Sequence, residues 1–177
     1  MRCRSAPSNR LGARGGRGLG SGADTDCDNR TVARIRESIQ IAAPADRVWI
    51  AVHEDLKNAR KWTDHLTKVE IVGGGKPGKG STVRYHLDLP GGVQVLEVYH
   101  ETWQPGKKCA GPFTDGPLKG TWSYVYREKD GVTTLTYQMD YELAGLLRFL
   151  GGAFQGAYEE GIRRNLKSLK KYVETRR

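Results

Sequence analysis

The residues of this 177-residue chain that could do chemistry fall into four groups: a glycine-rich loop, four histidines, carboxylates set into apolar strands, and tyrosines at alternating positions. The loop is the sharpest of these. In IVGGGKPGKGSTVRY, Ile71 to Tyr85, the positions Gly73, Gly78 and Lys79 have the spacing of a phosphate-binding loop, but Gly80 stands where a Ser or Thr hydroxyl would meet magnesium. The segment after it, STVRYHLDLP, alternates as a strand, whereas phosphates need a helix whose first amides point at them. Both departures argue against nucleotide binding. The glycines read instead as a turn, with Lys76 and Lys79 as its solvated tips.

His53, His65, His86 and His100 have no ligand spacing, and the nearest acids, Glu54, Asp55 and Asp64, fit a helix surface, so no metal is expected. His65, beside Trp62, reads as a surface histidine. Cys3 and Cys27 lie near the N-terminus and Cys109 stands apart, which supports neither a disulfide framework nor a zinc motif. No Ser-His-Asp or Cys-His arrangement is visible, so acid–base chemistry is what remains. In VQVLEVYHETW one face carries Val93, Val95, Glu97, Tyr99, Glu101 and Trp103; the other carries Gln94, Leu96, Val98, His100 and Thr102. With the first face inward, Glu97 would sit in an apolar chamber where burial raises a carboxyl pKa; with the second inward, His100 takes that place. Glu97, His100 and Tyr137 are the catalytic candidates, joined by Glu37 and Tyr85, and a structural role would also explain each of them.

These groups need elements to hold them. TVARIRESIQI places Ala33, Ile35, Ile39 and Ile41 on one side of a period-2 strand, interrupted by Glu37. APADRVWIAVHEDL has Pro44 in a first turn and Val48, Trp49, Val52 and Leu56 at helical spacing; a second short helical piece brings Trp62. Four further alternating runs follow, with turns at Pro90-Gly91-Gly92 and Asp130-Gly131, and a less regular one covers Lys107 to Asp115. Finally, Leu146, Leu150, Phe154, Tyr158, Ile162, Leu166, Leu169 and Val173 recur at threes and fours, the stripe of one long amphipathic helix. Gly151, Gly152, Gly156 and Gly161 each cost about 1 kcal/mol against Ala in a helix interior, so its first half bends or lies close to something bulky.

The expected class is α+β: a curved antiparallel sheet of six or seven strands around the long C-terminal helix, two short helices after strand one, and a cleft between sheet and helix. If Leu135, Tyr137, Met139 and Tyr141 face inward, Trp122, Tyr124 and Tyr126 line the same chamber, with Val83, Tyr85 and Leu87 opposite and Phe154 and Tyr158 on the helix. Phenol-tipped aromatics suit a planar, oxygen-bearing apolar ligand.

Composition sets the outer bounds. Residues 1–30 are rich in Gly and Arg, with Leu11 and Leu19 as their only large aliphatics, and read as a disordered tail or the product of an upstream start codon; residues 31–177 form the domain. The formal charge is +9, and Arg163, Arg164, Lys167, Lys170, Lys171, Arg176 and Arg177 gather much of it on the terminal helix. No aromatics interleave with them to stack on bases, so nucleic acid is not an expected partner; the helix is read as a solvated face, with contact to an anionic membrane as the variant reading. No run of roughly eighteen apolar residues occurs, and a cytoplasmic location is the default expectation.

SIQIAAPADRVWIAVHEDLKNARKW, VEIVGGGKPGKGSTVRY, LKGTWSYVY and TTLTYQMDYELAGLL, in that order, resemble the START-like SRPBCC superfamily and within it the polyketide cyclase/dehydrase group, over about residues 33–174. The resemblance implies a helix-grip fold with a deep, mainly apolar cavity between sheet and terminal helix. It leaves three functions open: binding of a hydrophobic small molecule of lipid, polyketide or isoprenoid type without a cofactor, a polyketide cyclase or aromatase working through a cavity Glu, His or Tyr, and a membrane-surface lipid carrier.

Overall fold

The computed structural model describes residues 32–89, 92–144 and 151–176, without the side chains of 151–155. The readings of residues 1–30 as a tail and of Phe154 as a cavity residue fall outside it. The order of elements is β1 (Ala33–Ile41), α1 (Ala45–Trp49) running into a π-helical turn (Ile50–Glu54) and a 3₁₀ turn (Leu56–Lys61), then β2 (Leu66–Ile71), β3 (Thr82–Leu89), β4 (Gly92–Tyr99), β5 (Thr102–Gln104), β6 (Lys108–Asp115), β7 (Leu118–Lys129), β8 (Val132–Leu143) and α2 (Gly151–Thr175). All strand pairs are antiparallel, in the order β1-β8-β7-β6-β4-β3-β2, with β5 beside β6. This is the helix-grip arrangement.

The β7–β8 hairpin forms as its alternation requires. Asp130 and Gly131 both take left-handed backbone (φ 53 and 73), the pair of positive φ values of a type I′ turn whose twist suits the strands it joins. The register then sets Trp122 opposite Met139, Tyr124 opposite Tyr137 and Tyr126 opposite Leu135, all on the concave face.

An eighth strand arises because VQVLEVYHETW does not run through as one. β4 lies between β3 and β6, and beyond Tyr99 the chain leaves β3 and keeps only β6: His100 N–H makes a last bond to Ser81 O on the β3 side (2.9 Å), and Glu101 N–H donates to Ala110 O on β6 (3.0 Å). Gly111 makes this crossing feasible, since a Cβ there would stand 1.8 Å from the Tyr99 carbonyl oxygen.

Helix α2 lies across the concave face and is tied to β1 by its second half. Leu166, Leu169 and Val173 are buried in the same core as Ile35 and Ile41 of β1, each such aliphatic contributing about 1.5 to 3 kcal/mol. Around them Arg163 pairs with Glu37 (2.8 Å), Lys170 Nζ donates to Gln40 O (2.6 Å) and Ala42 N–H donates to Glu174 Oε1 (2.7 Å). Among the described residues no helix is long and apolar enough to cross a membrane.

Gly111→Ala should cost about 3 kcal/mol or more in chemical denaturation, because the clash is with backbone that cannot rotate away. Gly131→Asn, at a position with open space around it, should cost under about 1 kcal/mol. Equal costs would mean that the β4–β6 approach is not the tight point of the sheet.

Candidate functional site

Between the sheet and the first half of α2 lies a cavity of about 510 Å³. Successive inward positions build one wall: Tyr85, Leu87 and Leu89 of β3, Gln94, Leu96 and Val98 of β4 with His100 just past its end, and Trp122 and Tyr124 of β7. Tyr137 of β8 and Phe113 of β6 complete it. Tyr158, Ile162 and Leu166 of α2 form the roof, and Val52, His53, Ala59 and Trp62 close one end. At the rim, Asp64 N–H donates to Asn165 Oδ1 (2.8 Å) and Arg164 Nε to Asp64 Oδ2 (3.3 Å), linking the 3₁₀ region to the helix beside the exposed His65.

Of the side chains expected in the chamber, Tyr85, Leu87, Trp122, Tyr124, Tyr137 and Tyr158 line it. Val83, Tyr126, Leu135, Met139 and Tyr141 share the inward faces but are shut into the core, where α1 and the anchored half of α2 close over them. The β4 ambiguity resolves toward His100. Glu97 does not reach the cavity: the hairpin sets it opposite Arg84, and the two pair at 2.6 Å on the outer face, with Glu70, Lys68 and His86 adjoining. Glu37, although on the inward face of β1, pairs with Arg163 and is not part of the lining. No carboxylate thus faces the chamber interior among the described residues.

Sequence reasoning passed over His53. It lies four residues after Trp49, on the apolar side of the helical segment, and is 4 % exposed. Its Nε2 is 2.8 Å from Tyr126 Oη, and its ring centroid lies 4.4 Å from that of Trp49 and 5.3 Å from that of Tyr124. His100 is held from the glycine loop. Ser81 Oγ donates to Gly78 O (2.7 Å) and accepts from Gly78 N–H (3.0 Å), so its 3.0 Å contact with His100 Nδ1 requires the imidazole to donate. His100 is therefore the Nδ1–H tautomer, with its Nε2 lone pair free of that proton.

Electrostatically the chamber is neutral. Burial, and then the nearby His100, hold His53 well below the ordinary imidazole range. Burial brings His100 down to about 4, against an opposing pull from the Gly78 carbonyl. Burial also raises the Tyr85, Tyr124, Tyr137 and Tyr158 phenols, which remain protonated donors, and pushes the Cys109 thiol up to about 12. What this lining offers is apolar contact, phenolic donors and two neutral imidazoles.

Because both histidine pKa values are lowered by folding, their stabilising effect is complete above the unfolded value of 6.5 and is lost as pH falls toward the folded value, about 4 for His100. Unfolding free energy should decline across that window, by on the order of 3 kcal/mol for His100 alone, and thermal midpoints should fall with it. His100→Asn and His53→Asn should each flatten the slope; a pH profile unaltered by both would show that neither imidazole is buried in neutral form.

A family model whose description reads polyketide cyclase / dehydrase and lipid transport matches residues 32–174. No curated protein is similar enough in sequence to count as a match. Among solved structures, the Zhui aromatase/cyclase from a Streptomyces species is 20 % identical with a TM-score of 0.69, over 82 % of this chain and 96 % of that one. A START superfamily protein from Mycobacterium smegmatis is 16 % identical with a TM-score of 0.65, over 80 % of this chain and 97 % of that one. The di-domain aromatase/cyclase StfQ of the steffimycin pathway is 14 % identical with a TM-score of 0.66, over 82 % of this chain and 52 % of that one. At such identities these structures speak for the fold, and the match over residues 32–174 speaks for descent: the chain belongs to the polyketide cyclase/dehydrase and lipid transport family.

Proposed function

We propose that this chain binds a hydrophobic, oxygen-bearing small molecule of lipid, polyketide or isoprenoid type between the sheet and α2. The observation that carries the reading is the cavity itself: about 510 Å³, walled by aliphatic and aromatic side chains, within the range of small-molecule sites. Four phenols along it give an oxygenated ligand hydrogen bonds to meet, and for Tyr137 Oη a ligand oxygen would replace only a weak bond to Met139 Sδ (3.3 Å). The basic face of α2 supports the membrane-carrier reading less well, because Arg163, Arg164, Lys170 and Arg176 are engaged by Glu37, Asp64, Glu174 and Asp55 of the same chain.

The cyclase or aromatase reading gains one specific observation. Closing a poly-β-keto chain requires a base to remove a proton from a methylene between two carbonyls and a donor to polarise the carbonyl that is attacked. A neutral His100 packed on the Trp122 ring could serve as the base, and the Tyr124 and Tyr137 phenols, which follow Trp122 along the same wall, as donors. His100→Gln and Tyr137→Phe should then each abolish ring closure of a poly-β-keto thioester; unchanged product from both would remove this reading and leave binding.

Gly161 supplies the test of binding. It borders the cavity, and a Cβ there would meet only Arg164 Nη2, at 3.8 Å. Gly161→Leu should lower affinity for a fluorescent fatty-acid probe at least about tenfold, or about 1.4 kcal/mol, while thermal stability holds or rises because Leu is the better helix former by about 1 kcal/mol. A wild-type chain that binds neither fatty-acid nor aromatic probes, and that carries no apolar ligand in native mass spectra from its own host, would overturn the proposal.

A further inference from the structure

We infer that His53, His100 and Cys109 form a binding site for a borderline-soft divalent metal ion, zinc above all, in the inner wall of the cavity. The inference does not depend on which hydrophobic ligand the cavity takes, or on its taking one. The three residues come from the π-helical turn, the end of β4 and β6, so no spacing in the chain announces them, yet one ligand atom from each lies within 4.8 Å of the others. Donors 2.0–2.3 Å from a tetrahedral zinc stand roughly 3.3 to 3.8 Å apart. A shift of about 1 Å in the ligand atoms on binding would close that difference.

The donor set and its support also fit. Two imidazoles and a thiol suit zinc and its softer neighbours and do not suit magnesium or calcium, which take oxygen. All three side chains are buried, at 4 %, 1 % and 0 % exposure, so they are held by packing before any ion arrives. His100 gives its Nδ1–H to Ser81, which fixes the ring and leaves Nε2 as the donor atom, the outer support usual for metal-bound histidine. Tyr126 Oη, 2.8 Å from Nε2, fixes the plane of the His53 ring. The Trp49, Trp103 and Trp122 rings pack around the two imidazoles and shield them from solvent.

Binding is balanced simply: the histidines enter neutral, the Cys109 S–H bond gives way to a sulfur–metal bond, and the thiol proton leaves to solvent. His53 and His100 both belong to the cavity lining and Cys109 does not. The fourth coordination position therefore opens toward the cavity, as in sites with three protein ligands and a replaceable fourth. A carbonyl or hydroxyl oxygen of a bound molecule is the chemical class that would take it.

The test uses the full chain with Cys3→Ser and Cys27→Ser, so that Cys109 is its single thiol, stripped with chelator and titrated with cobalt(II) chloride alone. One ion per chain should bind and produce a thiolate-to-cobalt charge-transfer band in the near ultraviolet together with the visible bands of a tetrahedral site, and zinc chloride should displace both. Cys109→Ser should abolish the charge-transfer band. Ser81→Ala, which touches no ion, should weaken cobalt binding about 10- to 100-fold while the charge-transfer band, once saturated, keeps its position, because the three ligands are unchanged. Should Cys109→Ser fail to fold, the parent band and the Ser81→Ala shift decide. No charge-transfer band in the parent, or the same band in folded Cys109→Ser, would overturn the assignment.

Discussion

The structure depends on where α2 is fastened. Its second half is fixed by Leu166, Leu169 and Val173 buried against β1, and the ion pairs alongside are secondary: Arg163 is 43 % exposed and Glu37 23 %, so their pairing is worth at most about 1 kcal/mol. Fastening one half of a helix across a curved sheet leaves the other half standing off from it. The gap is the cavity, and its roof is the half in which Gly156 and Gly161 occur. Helix, core and chamber therefore follow from one contact, the apolar stripe of α2 on β1.

That dependence explains which inward side chains become lining and which become core. β8 presents Leu135, Tyr137, Met139 and Tyr141 on one face, but only Tyr137 meets the space; the others are covered. Period-2 alternation tells which side of a strand a residue takes, and nothing about what stands opposite it. The concave faces of β7 and β8, the Asp130-Gly131 turn and the α2 stripe were legible because each depends on local pattern. The break of VQVLEVYHETW was not, because it arises where β6 draws the chain away from β3 and Gly111 lets the two backbones meet.

The face of β4 was legible in principle. Leu89 pairs with Gly92, and counting back along that register brings Arg84 opposite Glu97. A Glu in an apolar run facing an Arg in the neighbouring strand belongs on the solvated side, and His100 then falls inward. His53 also had a signal, four residues from Trp49 on a helical segment. Its polar side chain hid it, since an imidazole on an apolar face looks like an interruption until its partners are known. Cys109 had none, being a single thiol in an irregular strand.

The glycine loop belongs to this site and not to a nucleotide. Gly80, at φ 84, turns the chain so that its N–H donates to His100 O (2.8 Å), while Ser81 O accepts from His100 N–H and Ser81 Oγ takes the proton of the imidazole Nδ1. Three contacts from two adjacent residues thus fix one histidine by backbone and ring together. A residue other than glycine at 80 would strain that backbone, and the serine that follows would lose its aim. The residue that breaks the phosphate-loop pattern is thus the one that lets the loop orient a buried cavity imidazole: Gly80 is required for geometry, and the hydroxyl that a nucleotide site would place there is found one position on, directed at His100.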